Sequence, residues 1–335
     1  MVSLKDIAQD CGVSISVVSR ALNPRPDQQV AVETKRRVEE SMHRLGYHHN
    51  VSASLLARGR SAEIGVFLPR LREPLVAEQA IGISEAAYQY DFHYRFFFNQ
   101  TDQEYLRFIE AISCTGSSGI LTSPVNYGCA EVYEALERYC ESGGNVMLIN
   151  ADYQPRSSRM ERLQWDDERG GELAAEHLLS CGCRSFRLLQ PAYESIYNRR
   201  RKCGFLRRLK KAGHTAECLP IRARDFHLYQ KDDLDKVLAS LPSRSVGLFT
   251  VNDYLALSLM QRLTACGRLS ELGHKLRLVG FDDNAAAASA CIPLTTIRHD
   301  LQGFGRTAMQ RLIGNILGRD EKVKLSEPSL IIRDT

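Results

Sequence analysis

Apolar positions near the start of the chain recur with a helical period. Leu4, Ile7, Ala8 and Cys11 fall three and four residues apart, one face of a short helix. Ser3 followed by Asp6 has capping-box spacing, with the hydroxyl expected to accept a backbone N–H three residues on. Gly12 ends the helix, because glycine tolerates the left-handed conformation of a tight turn. Ser14 can cap a second helix with Val17, Val18, Ala21 and Leu22 facing inward, and Asn23-Pro24 stops it. Two short helices joined by a glycine-containing turn form a helix-turn-helix. Any small helical domain can contain such a hairpin, so the polar face decides. Ile15, Ser16, Ser19 and Arg20 stand outward on the second helix, where a helix-turn-helix meets base edges. An arginine fork matches guanine O6 and N7.

From Ile64 onward the pattern changes. Short apolar runs at Ile64–Leu68, Tyr94–Phe98, Gly119–Thr122, Val146–Ile149, Ser185–Leu189, Val246–Val251 and Leu276–Phe281 read as strands, and Ser329–Arg333 as a last one. Amphipathic stretches separate them: Glu78–Tyr90, Glu104–Ile112, Ala130–Cys140, Glu168–Leu179, Arg200–Lys211, Leu234–Leu241 and Tyr254–Cys266. Such alternation predicts parallel sheets covered by helices on both faces, doubly wound, with ligands at the carboxyl ends of the strands. About 275 residues is long for one such sheet, so two lobes are expected, divided near Tyr153–Leu163.

Specific residues carry a resemblance. Leu4-Lys5-Asp6-Ile7-Ala8, Gly12-Val13-Ser14, Val18-Ser19-Arg20-Ala21-Leu22-Asn23, Thr34 to Val38, Leu45-Gly46-Tyr47 and Asn50 resemble the head of the LacI/GalR family of bacterial transcription regulators. Ile64-Gly65-Val66, Gly119-Ile120-Leu121, Arg201-x-x-Gly204-Phe205, Asn252-Asp253, Gly280-Phe281-Asp282-Asp283 and Leu294-Thr295-Thr296-Ile297 extend the likeness over nearly the whole chain. The resemblance implies an all-α helix-turn-helix head and an α/β periplasmic-binding-protein-like body of two doubly wound lobes, the chain crossing between them more than once. It implies a DNA-binding unit over 1–50, a hinge helix or linker over 51–60 and an effector-binding and dimerisation unit over 61–335. Ser14, Ile15, Ser16, Ser19, Arg20 and Asn23 would meet DNA in the major groove. Leu56, with Ala53 beside it, would wedge into the minor groove when the hinge orders on operator DNA. Asn150, Arg201, Phe226, Asn252 and Asp282 would hold the effector, with Phe226 stacking on an apolar ring face. Three positions of the head depart from the family pattern: the turn from Pro24 to Gln29 is longer, Ala31 replaces the serine before the third helix, and His49 replaces a proline. In the body, Asn150 stands where sugar-sensing relatives often keep an aspartate, and Arg70 follows the first strand where a small polar residue is common. That exchange of charge points to an anionic effector, a sugar acid or sugar phosphate.

Composition narrows the picture. The chain has 335 residues, 44% hydrophobic and 25% charged, which is ordinary globular make-up and excludes bulk disorder. With no apolar run near the ~18 residues of a membrane helix and no secretory signal pattern, a soluble cytoplasmic protein is expected. Ten scattered cysteines, with Cys181-Gly-Cys183 the one close pair, read as reduced thiols. Residues 1–60 carry nine Lys/Arg against six Asp/Glu, and so hold most of the +4 net charge, which suits a polyanion partner. Enzyme signatures (GxSxG, GxxxxGK, HExxH) are missing. His43, His48 and His49 lack partners at metal-ligand spacing, and the GxGxxA run Gly303–Ala308 does not directly follow a strand, so it reads as a packed helix. Among the sequential carboxylate pairs, Asp282-Asp283 is the one at a strand's end. No catalytic residue, metal or cofactor is therefore expected. The reading is a repressor that binds palindromic double-stranded operator DNA as a homodimer under control of a sugar or sugar derivative. The rival is a small-molecule-binding protein or sugar-acting enzyme with the head as an interaction module.

Overall fold

The computed structural model describes residues 2–22, 30–47, 55–56, 59–68, 74–98, 101–123, 129–193, 195–224, 228–242, 245–319 and 323–335. The expectations for Asn23, Ala53, Arg70 and Phe226 lie outside these residues.

Three helices form the head: α1 (Leu4–Cys11), α2 (Ile15–Leu22) and α3 (Val32–Leu45). Ile7, Ala8, Cys11, Val18, Ala21, Leu22 and Val38 make its core, while Val17, expected inside, is half-buried. Gly12 and Gly46 close α1 and α3 in the left-handed conformation. At the start of α1 Ser3 and Asp6 form the expected capping box, with one further bond. The Ser3 hydroxyl donates to the Asp6 carboxylate at 2.7 Å, and that carboxylate also takes the Ser3 backbone N–H at 2.8 Å. Ala31 occupies the N-cap of α3 with no side-chain cap. α3 is tied back to α1 instead, through Ser41 and Arg44 on the Asp10 carboxylate and Arg37 on the Cys11 carbonyl.

The body holds two sheets. The first contains β1 (Ser61–Leu68), β2 (His93–Phe98), β3 (Ser117–Thr122), β4 (Asn145–Ile149) and β5 (Met160–Leu163), all parallel in the order β2-β1-β3-β4-β5. The second contains β6 (Ser185–Pro191), β7 (Ala216–Ile221), β8 (Val246–Thr250), β9 (Leu276–Phe281), β10 (Thr295–Arg298) and β11 (Ser329–Ile331), in the order β11-β10-β9-β8-β6-β7 with β11 antiparallel. Helices α4 (Pro74–Gln89), α5 (Asp102–Cys114) and α6 (Ala130–Glu141) belong to the first lobe. To the second belong α7 (Asp167–Ser180), α8 (Ile196–Lys211), α9 (Lys231–Ser240), α10 (Asp253–Ala265) and the short α11 (Ala285–Ala288). After β10 the chain returns to the first lobe as α12 (Leu301–Leu317), then comes back for β11. The division expected near Tyr153–Leu163 therefore falls slightly later. Met160–Leu163 pairs with β4 as an edge strand, and the crossover follows it. β5, with charged Glu161 and Arg162, and the edge strand β7, which holds Pro220, lack the apolar run that marks a buried strand.

One helix crossing in each lobe is made backbone to backbone. A Cβ on Gly82 of α4 would lie 1.9 Å from the Gln302 carbonyl oxygen, and one on Gly305 of α12 would lie 2.1 Å from that of Gln79. In the second lobe a Cβ on Gly171 of α7 would lie 2.0 Å from the Arg201 carbonyl oxygen, and one on Gly204 of α8 would lie 1.9 Å from that of Glu168. The GxGxxA run is thus packing, as its context indicated. α12 also reaches the amino-terminal region at its far end. Phe304, Ala308, Met309, Leu312 and Ile313 share a core with the linker residue Leu55, and Arg319 donates to the Leu22 carbonyl at the end of α2 at 3.3 Å.

Candidate functional site

On the head, α2 presents Ile15, 48% exposed, together with exposed Ser14 and Ser16. Ser14 Oγ takes the Val17 N–H at 3.4 Å and lies 2.8 Å from Ser16 Oγ. Arg20 Nε donates to the Ser16 carbonyl at 3.2 Å, so its guanidinium lies along α2 toward the helix start. Ser19 and Arg20 are half-buried. Ser14, Ile15, Ser16, Ser19 and Arg20 thus lie at the start and along the length of α2, the element that a helix-turn-helix presents to DNA. Two adjacent leucines divide the work in the linker: Leu55 is buried in the first lobe, and Leu56 is 72% exposed.

Asn150, Arg201, Asn252 and Asp282 come together in one cleft between the lobes. Leu75, Val76 and Gln79 from the first turns of α4 line one wall, with Ser123 after β3 and Leu301 at the start of α12. Tyr193, Tyr197, Asn198 and Tyr254 face them from the second lobe. Asn150 follows β4 and Asp282 follows β9, so equivalent strand ends of the two sheets meet here. Both residues hold positive φ, 52° and 108°, a strain for side chains with a Cβ that functional sites often store.

Arg201 is the centre of the polar cluster. Its Nε donates to Asp167 Oδ1 at 2.9 Å and its Nη1 to the Val251 carbonyl at 2.7 Å, with Asp282 Oδ1 3.0 Å from the same nitrogen. The guanidinium lies 3.7 Å from the centre of the Phe281 ring. Burial alone would raise Asp167, but Arg201 and His299 outweigh it and hold the carboxyl below its ordinary range. For Asp282 burial wins over Arg201, and its carboxyl is pushed up to about 6. One guanidinium thus meets two carboxylates, so Arg201 offers an anionic ligand little free charge. Asn252 caps α10 by accepting the Leu255 N–H at 2.8 Å and donates to the Tyr229 hydroxyl at 2.9 Å.

Behind Asp282 lies Asp253, whose carboxylate takes the Thr296 hydroxyl at 2.6 Å and the Asn284 N–H at 2.9 Å. Burial first, then the Asp282 charge, raises its carboxyl well above the ordinary range. A carboxyl raised in the native state stabilises the fold below its unfolded pKa, and loses that contribution as pH rises through the native value. Asp253→Asn should therefore gain melting temperature over the wild type progressively from about pH 5 to about pH 8. A constant difference across that window would mean that Asp253 is already ionised in the fold.

The sequence reading did not single out Trp165 or His299. Trp165 is the sole tryptophan and sits just past the expected lobe division, and His299 follows the Thr295-Thr296-Ile297 run, so proximity to recognised segments was the available signal. The two rings stack with centroids 4.5 Å apart, and Phe304 covers the other face of Trp165 at 4.0 Å.

Comparison with known proteins places these observations. Residues 3–50 match the family model described as bacterial regulatory proteins, lacI family, and residues 175–335 match the periplasmic binding protein-like domain. The HTH-type transcriptional repressor PurR of Vibrio vulnificus is 26% identical over 341 residues, covering 100% of this chain and 98% of that protein. The PurR of Aliivibrio fischeri strain ES114 is also 26% identical, with the same coverage. The lac repressor dimer bound to operator and the anti-inducer ONPF superposes with a TM-score of 0.70 at 24% identity, over 100% of this chain and 98% of that one. The transcriptional regulator CelR in complex with cellobiose gives 0.69 at 20% identity, over 100% and 99%. Both domains occur in one chain that aligns over nearly its whole length with these relatives. The chain thus joins a lacI-family head over residues 3–50 to a periplasmic binding protein-like domain over 175–335, the make-up of a DNA-binding transcription regulator under small-molecule control.

Proposed function

We propose that the chain is a cytoplasmic repressor that binds a palindromic operator as a homodimer and has no catalytic role. Its units are 1–50 for DNA binding, 51–60 for the hinge and 61–335 for effector binding and dimerisation. The observation that carries the reading is the pairing of a polar, outward-facing α2 with a buried polar cleft at the carboxyl ends of both sheets. In the cleft the carboxylates are engaged by Arg201 as recognition groups, with no step of bond making assigned to them. The α4–β2 face supports the dimer. Ile81, Tyr88 and Tyr94 are 46%, 88% and 37% exposed beside a sheet edge, and a two-fold pair doubles both base and phosphate contacts. Effector control follows a physical route. α12 begins in the cleft wall at Leu301 and continues toward Arg319, which touches the head, so a ligand that favours one lobe arrangement also biases the head. Because Arg201 is neutralised, the preferred effector is an uncharged sugar or other hydrogen-bonding ring, not the anion suggested by Arg70 and Asn150.

Selection of bound duplexes from a random pool by the full chain should return a palindrome, with affinity falling steeply as salt rises. Arg20→Ala should cost about 1–3 kcal/mol on that palindrome and relax preference at one base position. Leu56→Ala should weaken the palindrome more than random DNA. Equal losses on both kinds of DNA for both variants would overturn the assignment of these residues to base reading.

A further inference from the structure

The cleft contains one buried polar side chain whose partners are missing. His299 is 5% exposed, and neither ring nitrogen has a hydrogen-bond partner among the described residues. Its ring is fixed by the stack on Trp165 and by Phe281, whose ring centre lies 5.1 Å away. Nε2 faces Asp167 Oδ1 at 3.5 Å, too long for a good hydrogen bond but enough to set the ring's orientation. Buried polar groups are nearly always paired, so an orphan in the wall of a cleft marks where a ligand supplies the partner.

The surrounding charges define that partner. Asp167 on α7, Arg201 on α8 and Asp282 after β9 face this part of the cleft, with Asp253 on α10 behind, and Asp300 beside His299 is engaged in capping α12 through the Gly303 N–H at 2.8 Å. Two carboxylates on one guanidinium leave a net negative environment. With Nε2 directed at Asp167, Nδ1 is the ring nitrogen left for whatever occupies the cleft. We propose that His299 is a specificity-determining residue of the effector cleft, its Nδ1 accepting a hydrogen bond from an O–H or N–H donor on an uncharged ring. This rests on the cleft being the effector site. The same donor chemistry is carried by a polyhydroxylated sugar and by a nitrogen heterocycle, while a phosphate or carboxylate would oppose Asp167 and Asp282.

Isothermal titration of the full chain tests this with D-ribose, D-glucose, cellobiose, uridine and inosine against the phosphate esters of the same sugars and nucleosides. A neutral compound should bind at least tenfold more tightly than its phosphate, and which neutral compound binds separates sugar from heterocycle. With that compound, His299→Leu should lose at least tenfold in affinity while the unliganded melting temperature stays level or rises, because the orphaned nitrogens are gone. His299→Gln, whose amide oxygen can accept, should recover part of the affinity. Tighter binding of the phosphates, unchanged affinity in His299→Leu, or loss of affinity together with a lower unliganded melting temperature would each overturn the proposal. A panel with no binder overturns the ligand class, while the duplex selection decides separately whether the chain is a regulator.

Discussion

Arg201→Ala should destabilise the second lobe by about 3–5 kcal/mol, the usual cost of removing one partner from a buried charge cluster. Asp167 and Asp282 are both buried, and the guanidinium is their common counter-charge as well as a donor to the Val251 carbonyl. Without it each carboxyl must take up a proton to remain inside. The sign with pH then follows: the two native pKa values rise above their unfolded values, so the variant's deficit is smallest in acid and grows as pH rises through them. Arg201→Lys should recover little, since one ammonium cannot reproduce the fork to Asp167 and Val251 or the stack on Phe281. Urea denaturation of the full chain at about pH 5 and about pH 8 measures both effects. A deficit under about 1 kcal/mol, flat with pH, would mean that water reaches the pair as on an ordinary surface.

Gly82→Val should be the more damaging change in the first lobe. Its Cβ would sit 1.9 Å from the Gln302 carbonyl oxygen and 2.8 Å from the Arg306 nitrogen, both backbone atoms of α12. No rotamer relieves a clash of that kind, so α4 and α12 must separate along their length. The expected cost lies at or above the upper end of the ~1–3 kcal/mol typical of overpacking. The damage reaches function, because α4 and α12 line the cleft and α12 packs with Leu55 of the linker. Gly213→Ala is the control. It occupies a left-handed position with nothing within 4 Å, and should cost about 1 kcal/mol through backbone strain alone. Thermal unfolding and ligand titration of both variants check this. A Gly82→Val protein as stable as Gly213→Ala would refute the tight crossing.

The sequence determined the local structure, because the signals involved reach only a few residues. The α1–turn–α2 unit was readable from Leu4, Ile7, Ala8 and Cys11, the left-handed Gly12 and the polar face of α2 with Ser16, Ser19 and Arg20. Buried strands such as β3 and β4 declared themselves as apolar runs, and their carboxyl ends pointed to Asn150, Asn252 and Asp282. Edge strands β5 and β7 did not, since a half-exposed strand needs no continuous apolar run. Tertiary structure alone decided what the cleft's side chains do. Arg201 is one basic residue in a run of four from Arg199 to Lys202, and nothing local marks it as the one turned inward. Gly171 and Gly204 bring α7 against α8, and that crossing sets Arg201 on Asp167 while β9 delivers Asp282. His299 and Trp165 become a recognition wall only when β10 and the crossover after β5 lie side by side. Charge pairing and burial depend on distances between elements far apart in the chain, and only the packing of the two sheets sets them.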